Sequence, residues 1–440
     1  MAAYTIFWSV ILILYSVEGV PQLRPPKPIG MVYVTGTHYQ VGKQVGYTFR
    51  NNIQEYFQLN TELQTKVIPF VKGAGKKIYD GFISTINATY PQYLEEMQGI
   101  AEGANVSETE VFVQIMYVEL THYMSGGKKT DGACTDLYVN YGYPHVAIGH
   151  NEDADPLIAG RGYIVDADII NDRPRGRLTV PREQFVAYTY PGTLPGNAFG
   201  FTKSGLIITI NALYPEKVDV NNTIPRYVLT RALLSAPSMD KMDDIVKCQG
   251  HGSAYGFSVN TADMNCTNPC IDNIEVAPGY STPCSTVNHT IITDSDYHVN
   301  IYRRIQIKQD PESILSSQHR AKALGVPDWH DANDIRVMLG NTVDPRFPIY
   351  RNATPPDTGS TVATGLFDIA ECSLHIYDSN PAHSDPLITM DLPYSNYCRA
   401  RKHLTTKMGY KKTKLVDHNT KMQRHNIKMQ HRNMNQIIRT

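Results

Sequence analysis

Outside its N-terminus the sequence has no apolar run long enough to span a membrane. The N-terminal stretch from Ile6 to Tyr15 is only about ten residues long, roughly half of what a transmembrane helix needs. A small-residue pattern ending at Gly19 follows it, so we predict a signal peptide over residues 1–19. An uncleaved anchor is the alternative, because no Lys or Arg precedes the apolar stretch.

Cysteine is nearly absent from the first half of the chain, where Cys134 stands alone among the first 247 residues. The other six cysteines lie between positions 248 and 398. The predicted secretion places the chain in an oxidising compartment, which favours three bridges among these six in an undetermined pairing. Cys134 is then the candidate free thiol, and a buried, unreactive cysteine is the alternative.

Six N-x-[ST] triplets agree with passage through the secretory pathway, so we predict a secreted or lumenal protein. The triplets begin at Asn87, Asn105, Asn221, Asn265, Asn288 and Asn352.

The chain also lacks a sizeable net charge, since 41 Lys and Arg face 42 Asp and Glu. This balance hides an uneven distribution, because residues 399–440 hold twelve Lys and Arg and one acid, Asp417. The segment has no apolar period, so we predict a basic, disordered tail over residues 397–440. Such a tail suits contact with anionic surfaces, although a solvated tail without a partner is the simpler interpretation. No nucleic-acid partner is expected.

The first part of the chain has helical patterns. Ser107 and Glu110 have the spacing of a capping box, in which each side chain satisfies a free backbone N–H at the start of a helix. Residues 40–124 are therefore predicted to be mostly helical, after a first strand beginning at Met31. One apolar face recurs every fourth residue, at Val41, Val45, Phe49, Ile53 and Phe57.

From Leu137 onward the pattern changes to short β-branched and aromatic runs bounded by Gly, Asn and Pro, which are typical of strands. A helical pattern returns at 226–247, and strand patterns return at 361–379. This order predicts an α+β fold of stacked sheets covered by helices. Without an internal repeat or a linker, we predict one domain from about residue 30 to 396.

The segment before Cys134 is rich in small residues, with Gly126, Gly127, Gly132 and Ala133. Small residues let the backbone take unusual angles and let other groups approach a peptide bond closely. This setting suits attack of the thiol on its own preceding carbonyl, which moves the acyl group from nitrogen to sulfur before hydrolysis. The cut between Ala133 and Cys134 would free Cys134 as a new N-terminal residue.

A nucleophile at a chain terminus has its general base built in. An α-amine titrates near 7.7–8.0, so roughly a tenth of it is neutral at pH 7 and able to accept the thiol proton. A papain-like Cys and His pair is the alternative. The sequence has no segment resembling "CGSCW", and its fifteen His make such a pairing unspecific.

The segment "AIGHNEDADP" follows shortly after Cys134. Its acids fall on alternating faces of a strand end, and no glycine-bearing calcium loop follows, so no metal site is predicted. A solvated acidic loop is the commoner explanation of such a run. If strands 135–140 and 145–150 form a hairpin, however, Asn151 and Asp153 return to the neighbourhood of Cys134. We then expect His150 and Asn151 to contact substrate and the Asp153 carboxylate to orient the new ammonium group.

Nine segments in this order resemble the isopenicillin N acyltransferase and β-alanyl-dopamine hydrolase family, a branch of the N-terminal nucleophile hydrolases, over about residues 30 to 390. The segments are "GTHYQVGKQVGYTFRNNI", "YLEEMQGIAEGANVSETE", "GACTDLYV", "IGHNEDAD", "FGFTKSGLIITINAL", "RYVLTRALLSA", "IEVAPG", "TVNHTI" and "TGLFDIAECSLHIYDSNP".

The resemblance implies a four-layer αββα sandwich made as a precursor that cleaves itself before Cys134. The products would be a smaller subunit, 20–133, and a larger subunit, 134–396, which stay together as a heterodimer. By the same resemblance, Cys134 is the nucleophile and Asp153 aids processing and orients the terminal amine. Asn288 is the candidate oxyanion-hole donor, which predicts that it is buried and unglycosylated despite its triplet.

The sequence departs from the family pattern at two places. Ala133 stands where the family usually has Gly directly before the cysteine. The family's downstream arginine is expected near "YHVNIYRRIQI", which makes Arg303 the candidate, with Arg304 as a second. A surface arginine without a catalytic role is the alternative for both.

These observations predict a cysteine hydrolase or acyltransferase that acts on a carbon–nitrogen amide of a small molecule without a cofactor. A transferase that uses an acyl thioester is one alternative. A catalytically inactive, disulfide-rich binding protein with the same fold is the other, and it predicts an intact chain with an unreactive Cys134.

Overall fold

The computed structural model describes residues 28–126, 133–178, 180–248, 250–266, 270–280, 282–393 and 398. The predicted signal peptide, 1–19, and all of the predicted tail except Cys398 lie outside these residues. Within the described part, no helix has both the length and the apolar character needed to cross a membrane.

The described residues form eleven α-helices, a π-helical turn at Leu63–Val67 and a 3-10 turn at Pro156–Ile158. The α-helices are α1 His38–Thr48, α2 Arg50–Leu59, α3 Ile68–Lys72, α4 Lys76–Thr89, α5 Pro91–Ala104, α6 Glu108–Ile115, α7 Tyr117–Ser125, α8 Arg226–Leu233, α9 Met239–Lys247, α10 Pro311–Leu324 and α11 Ala332–Leu339.

Fourteen strands form two sheets in the described part of the chain. The eight-stranded sheet has the order β1-β4-β5-β6-β7-β8-β9-β10, and the six-stranded sheet has the order β11-β2-β3-β12-β13-β14. The strands are β1 Gly30–Gly36, β2 Ala133–Asn140, β3 Val146–Ala154, β4 Tyr163–Ile170, β5 Arg182–Thr189, β6 Phe199–Thr202, β7 Leu206–Leu213, β8 Gly256–Asp263, β9 Cys270–Ala277, β10 Thr286–Ile292, β11 Ser295–His298, β12 Ser360–Asp368, β13 Ser373–Tyr377 and β14 Ile388–Asp391.

The predicted apolar face of the first helical region is confirmed, since all five of its residues are buried. It is divided between two helices, because α1 ends at Thr48 and α2 begins at Arg50. The predicted capping box is also confirmed. The Ser107 hydroxyl accepts the Glu110 N–H at 3.2 Å, and the Glu110 carboxylate accepts the Ser107 N–H at 2.9 Å.

Helices α1 and α5 pack with their backbones in contact. A Cβ atom at Gly42 would lie 2.1 Å from the Glu96 carbonyl oxygen, and one at Gly99 would lie 2.2 Å from the Tyr39 carbonyl oxygen. Any side chain at these positions would push the helices apart, so glycine is required for the close approach. The contact fixes α5, and with it Glu96, against the start of α1.

Strand β2 of the six-stranded sheet contacts β7 of the eight-stranded sheet. Helix α1 packs against β1 and β4 of the eight-stranded sheet, whereas α11 packs against β2, β3 and β12 of the six-stranded sheet. Trp329 helps to hold this second helical layer, because it is buried and donates from its indole N–H to the Tyr138 carbonyl at 2.6 Å. The predicted α+β class is confirmed.

The cysteine pairing agrees with the sequence prediction. Three pairs lie at disulfide-bond distance, and Cys134 is the free cysteine of the described residues. The pairs are Cys248–Cys284, Cys266–Cys270 and Cys372–Cys398. Cys134 is also buried, at 4% exposure, so its setting decides whether it is reactive.

A buried cluster of four charged side chains, which we call the ionic quartet, joins the first helices to the rest of the chain. It consists of His38, Glu96, Glu183 and Arg231, each at most 2% exposed. Arg231 donates to Glu96 at 2.9 Å and to Glu183 at 2.7 Å, and the two ring nitrogens of His38 lie 2.9 and 3.0 Å from the same two carboxylates. Two cations thus neutralise two carboxylates inside the core.

The opposite charges of the quartet keep one another ionised. Burial favours the neutral form of His38, but Glu183 and Glu96 outweigh it and raise the pKa of His38 to about 9. Burial likewise opposes ionisation of Glu183, yet Arg231 and His38 lower its pKa to about 2. All four groups are therefore charged at neutral pH. The guanidinium also lies 4.7 Å from the ring centroids of Tyr93 and Phe185.

We expect Arg231→Met to lower the free energy of unfolding by about 3–5 kcal/mol, because two carboxylates lose their main buried counter-ion. Arg175→Met is the matched control, since Arg175 forms an exposed pair with Glu95 and should lose about 1 kcal/mol or less. Urea unfolding followed by circular dichroism measures both values. Equal losses in the two variants would contradict a stabilising quartet.

Candidate active site

The register of the β2–β3 hairpin assembles the candidate site. Cys134 lies opposite Glu152, and Asp136 lies opposite His150. Side chains two residues apart on a strand share a face, so these four side chains lie together. Their face points toward the other sheet, where Asp136 accepts a hydrogen bond from Asn211 of β7 at 2.7 Å. The predicted hairpin is confirmed.

The commoner explanation of this acidic run, a solvated loop, does not hold. Residues 146–154 form a strand in which every residue is buried. The strand can bury its acids because each of them has a polar partner: Glu152 lies against His150, and Asp153 accepts a hydrogen bond from Thr361 at 2.6 Å.

The main chain of Cys134 is held by side chains instead of a neighbouring strand. β11 pairs with β2 only as far as His298 opposite Asp136, so it stops short of Cys134. Asn300 takes over there, and its carboxamide oxygen accepts the Cys134 N–H at 2.9 Å. Arg320 donates one Nη1 hydrogen bond to the Cys134 carbonyl. Both backbone groups on this side of Cys134 are therefore bound by specific side chains.

Arg320 reaches this position from α10 and is fully buried. Its Nη1 also donates to the Thr135 hydroxyl at 2.8 Å, and its Nη2 donates to the Asn300 oxygen at 2.7 Å and to Ser317 at 2.9 Å. Burial lowers the pKa of Arg320 to about 10, so the guanidinium stays charged at neutral pH. It supplies a fixed positive charge beside the Cys134 backbone.

The thiol itself faces a negative environment. The Cys134 Sγ lies 3.8 Å from the Glu152 Oε1. Burial, followed by the Glu152 charge, raises the pKa of Cys134 to about 11. The thiol is therefore protonated in the intact chain at neutral pH.

His150 lies between two carboxylates. Its Nδ1 is 2.8 Å from Asp136, and its Nε2 is 2.9 Å from the Glu152 Oε2. Burial opposes protonation of the ring, but Asp136 outweighs it, and with hydrogen bonds to Cys134 and Glu152 it raises the pKa of His150 well above the usual range. This places an imidazolium directly beside the thiol.

A cavity of about 60 Å³ opens next to the thiol. Tyr190 lines it and donates to the Glu152 Oε1. Asn197 also lines it, and its carboxamide oxygen is buried with no hydrogen-bond partner among the described residues. Further aromatic lining comes from Tyr56, Tyr117, Tyr214 and Tyr227. The site thus joins a thiol, a carboxylate and an uncommitted carboxamide around a small aromatic cavity.

Ala133 and Asp153 lie opposite each other in the hairpin. Their side chains share the face that does not carry the Cys134 thiol. Burial raises the pKa of Asp153 to about 6, although Arg351 and Arg320 favour its charged form. The Asp153 carboxylate is therefore next to the predicted cut, at the level of Ala133 and not of the thiol.

Asn151 lies on the same face as Asp153 but is not placed to contact substrate. Its Nδ2 donates to the Leu339 and Ile349 carbonyls at 2.8 and 3.1 Å, and its oxygen accepts from Thr364 at 2.6 Å. The geometry therefore does not support the predicted substrate contact and instead ties the strand to α11 and the segment after it.

The prediction that Asn288 is buried is wrong. It is half-buried on β10, the edge strand of the eight-stranded sheet, and its oxygen accepts from Thr290 at 3.1 Å. In that sheet β10 lies three strands from β7, which faces β2, so about 14 Å separates the two strands. This placement does not support a role as oxyanion donor for Cys134.

Arg303 and Arg304 do not bind Cys134 in the structure. Arg303 donates to Asp296 at 2.7 Å and its guanidinium covers the Tyr297 ring, while Arg304 donates to Asn273 at 2.6 Å and to Asp296 at 3.2 Å. The turn after β11 directs both toward Asp296 of that strand. The guanidinium that reaches the cysteine comes from Arg320.

Asn300 and Arg320 were not predicted from the sequence. Asn300 stands in "YHVNIYRR", the segment in which the arginine was expected, three residues before Arg303. Arg320 belongs to the helical segment "PESILSSQHRAKAL", in which Ser317 precedes it by one turn. That local pattern does not point to Cys134, which lies 186 residues away in the chain.

The model of the acyl-coenzyme A:6-aminopenicillanic acid acyl-transferase family matches residues 142–383, which is more than half of the chain. The chain belongs to this family. It is also 29% identical over 378 residues to the β-alanyl-dopamine/carcinine hydrolase of Drosophila melanogaster, an alignment that covers 83% of this chain and 97% of that protein. The predicted family resemblance is confirmed, and the two matches indicate an amide hydrolase or acyltransferase.

The region matched by the family model begins after Cys134, so the part played by this cysteine depends on the geometry described above. Among the described residues, one cluster of His, Cys, Asp and Glu side chains has the spacing of a metal site. The cluster consists of Cys134, His150 and Glu152. Their ligand atoms lie within 4.8 Å of one another.

In the intact chain we expect Cys134 to react slowly with iodoacetamide. With a pKa of about 11, about one thousandth of the thiol is ionised at pH 8. Glu152→Gln should increase the labelling rate at pH 8, because removing the negative charge lowers the thiol pKa. Mass spectrometry of the Cys134 peptide between pH 7 and 10 gives the rates.

Glu102→Gln is the control for this experiment, since Glu102 forms an exposed pair with Lys43. A Glu152→Gln protein that is labelled no faster than the Glu102→Gln protein would show that Glu152 does not control the thiol.

Proposed function

We propose that this chain is a self-processing hydrolase with an N-terminal cysteine nucleophile, which cleaves a small N-acyl amine or N-acyl amino acid. The observation that carries the proposal is the pair of side-chain hydrogen bonds to the Cys134 main chain. Asn300 binds its N–H and Arg320 binds its carbonyl, while its side chain faces a cavity. Because β11 has already ended, these contacts fix the Cys134 main chain without a strand on that side, and they place its thiol at the cavity.

The same proposal includes the four-layer αββα arrangement. Its support is the contact of β2 with β7 between the sheets, together with α1 on β1 and β4 and α11 on β2 and β3. We place the division between the subunits after Ala133, so that 20–133 and 134–396 remain associated as a heterodimer. The ionic quartet favours such an association, because His38 and Glu96 of the first part pair with Glu183 and Arg231 of the second, at 3.0 and 2.9 Å respectively.

Processing begins with attack of the Cys134 Sγ on the Ala133 carbonyl carbon. The carbon–nitrogen bond breaks as the carbon–sulfur bond forms, and the Cys134 nitrogen takes up a proton. Glu152 is the nearest carboxylate to the thiol, at 3.8 Å, and we assign it acceptance of the thiol proton. Water then hydrolyses the thioester, leaving a carboxylate on Ala133 and a free amine and thiol on Cys134.

After processing, the Cys134 nitrogen is an amine beside the Asn300 oxygen, which already accepts its N–H in the intact chain. A neutral amine there accepts the thiol proton when the sulfur attacks the substrate carbonyl. We assign the oxyanion role predicted for Asn288 to the Nδ2 group of Asn197, because the Asn197 carboxamide lines the same cavity as Cys134 and its NH₂ is the half that can donate to an oxyanion. The Cys134 amine then passes that proton to the leaving amine as the substrate carbon–nitrogen bond breaks and the acyl-enzyme forms. Water hydrolyses this thioester, which releases the acyl group as a carboxylic acid and restores the thiol.

The cavity favours a small substrate with a cationic group. Three acids line it, Glu152, Asp153 and Asp155, against one cationic side chain, Arg226, and five tyrosines add further polar groups. An acyl group that carries an amine, like the β-alanyl group in the name of the fly relative, matches this mixture of carboxylates and aromatic rings. Transfer of the acyl group to an amine is the second candidate, which the name of the matched family favours.

A secreted or lumenal location forms part of the proposal. Three cysteine pairs at disulfide-bond distance support it, because such bonds persist in oxidising compartments.

The purified protein should contain a fragment that begins Cys134, Thr135, Asp136. Cys134→Ala should abolish both the cleavage and amide hydrolysis, since it removes the nucleophile for both reactions. Reducing gel electrophoresis with N-terminal sequencing checks the cleavage, and release of amine from N-β-alanyl dopamine checks the hydrolysis. Wild-type protein that stays intact on prolonged incubation would refute self-processing.

Asn197→Ala should lower kcat by about 10²–10³-fold, the usual loss for one oxyanion donor. Asn288→Ala is the matched control and should leave kcat nearly unchanged, because Asn288 lies on the distant edge strand. Steady-state kinetics on one amide substrate compares them. A large loss in Asn288→Ala with none in Asn197→Ala would restore the assignment made from the sequence.

A further inference from the structure

We propose that Cys134, His150 and Glu152 form a binding site for a divalent cation of borderline softness, such as Zn²⁺, and that the bound cation blocks the nucleophile. The proposal that a metal binds here depends only on the geometry of these three residues. The inhibitory effect of the metal rests on the proposed function, because only an enzyme that uses Cys134 can be inhibited in this way. No metal site was predicted from the sequence, because the acids after Cys134 alternate between the faces of a strand end and no glycine-bearing calcium loop follows them.

The distances between the ligand atoms suit tetrahedral Zn²⁺. The Cys134 Sγ is 3.8 Å from the Glu152 Oε1, and the His150 Nε2 is 2.9 Å from the Glu152 Oε2. With Zn–S near 2.3 Å and Zn–N and Zn–O near 2.0–2.2 Å, neighbouring ligand atoms in a tetrahedral site lie about 3.3–3.6 Å apart. The three ligand atoms lie within 4.8 Å of one another, so side-chain shifts of about 1 Å bring them into a coordination shell.

The second layer of contacts is the kind that orients a metal-bound histidine. Asp136 accepts from the His150 Nδ1 at 2.8 Å, which directs the Nε2 lone pair toward Cys134 and Glu152 once Nε2 is deprotonated. A carboxylate behind the ligating histidine is a regular feature of zinc sites. Asp136 is itself held by Thr209 and Asn211 of the facing sheet. The histidine is thus held in place before a metal arrives.

Zn²⁺ binds sulfur as the thiolate and histidine through a neutral nitrogen, so the protons that these atoms carry leave to solvent when the metal binds. The two positive charges of the metal enter a buried site in which the Asp136 and Glu152 carboxylates lie 2.8 and 2.9 Å from the His150 ring nitrogens.

The cavity completes the site. It borders Cys134 and Glu152 and leaves space for a fourth ligand such as water. Three protein ligands with an open position bind metal more reversibly than a closed four-residue site. A metal held there occupies the lone pair with which the sulfur attacks a carbonyl, so both self-cleavage and substrate hydrolysis stop until the metal is removed.

Cobalt is the probe for binding, because a thiolate bound to Co²⁺ gives a charge-transfer absorption in the near ultraviolet. We expect this band to saturate at one Co²⁺ per chain in the full-length protein and to disappear when Zn²⁺ is added. Cys134→Ser and His150→Gln should both lose it, and thermal unfolding of each variant checks that it is folded. A band that persists in Cys134→Ser, or no band in the wild type, overturns the proposal.

His330→Gln is the control for weak binding at the surface. His330 is exposed near Asp328 and Asp334, a setting that attracts metal without a built site, and its loss should leave the band unchanged. A band lost in His330→Gln but kept in His150→Gln would place the cation at the surface and overturn the proposal.

The inhibitory effect is measured by adding Zn²⁺ and then EDTA to the active protein. Hydrolysis should fall in proportion to the bound metal and recover fully with the chelator. Activity that persists in protein shown to hold one metal per chain would overturn the inhibition. A cobalt band in a protein without self-cleavage or hydrolysis would instead contradict the proposed function and leave the metal site standing.

Discussion

The pairing register of β2 and β3 is the constraint on which the site depends. It sets Cys134 opposite Glu152 and Asp136 opposite His150, so that all four side chains face the other sheet. A shift of one residue would turn the thiol to the opposite face, because strand side chains alternate. Polar contacts on both faces oppose such a shift. Asp136 is bound to β7 on one face, and Asn151 is bound to the Leu339 and Ile349 carbonyls on the other.

Beyond the end of β11, the structure replaces strand pairing with side-chain contacts. Asn300 and Arg320 satisfy the N–H and the carbonyl of Cys134 where no strand continues. This arrangement buries a guanidinium completely, which is tolerable because four oxygen atoms accept its hydrogen bonds. Side chains can also keep their hold when the peptide bond before Cys134 is broken. A strand ladder positions a continuous backbone, whereas Asn300 can bind either an amide N–H or a terminal amine.

The sequence was sufficient where the signal was local. The free Cys134, the hairpin after it, the capping box at Ser107 and the helical face from Val41 follow from spacing and composition, and the structure has all of them. Arg320 was not predictable in this way, because it lies 186 residues from Cys134 and its role depends on where α10 packs. Arg303 was chosen by its position near a family segment, and Asp296 of the adjacent strand holds it instead.

The acidic run after Cys134 shows a second limit of prediction from sequence. Its alternation between two faces was correctly recognised, but alternation does not say whether either face is buried. Both faces are buried, with different effects on their acids. On one face Glu152 lies against the Cys134 thiol, and on the other burial raises the pKa of Asp153 to about 6. Sequence patterns identify which residues share a face, whereas the packing of the second sheet and of α11 decides their ionisation.

These ionisation states give the proposed cleavage a second consequence. In the intact chain, burial and Glu152 keep the Cys134 thiol protonated. Hydrolysis of the preceding peptide bond turns a neutral amide nitrogen into an amine that carries a positive charge when protonated, bonded to the same Cα as the thiol side chain. A neighbouring positive charge favours the thiolate and lowers the thiol pKa. Cleavage would therefore create the general base and oppose the field of Glu152 in one step, so a substrate would meet a more nucleophilic thiol in the processed chain than in the intact one.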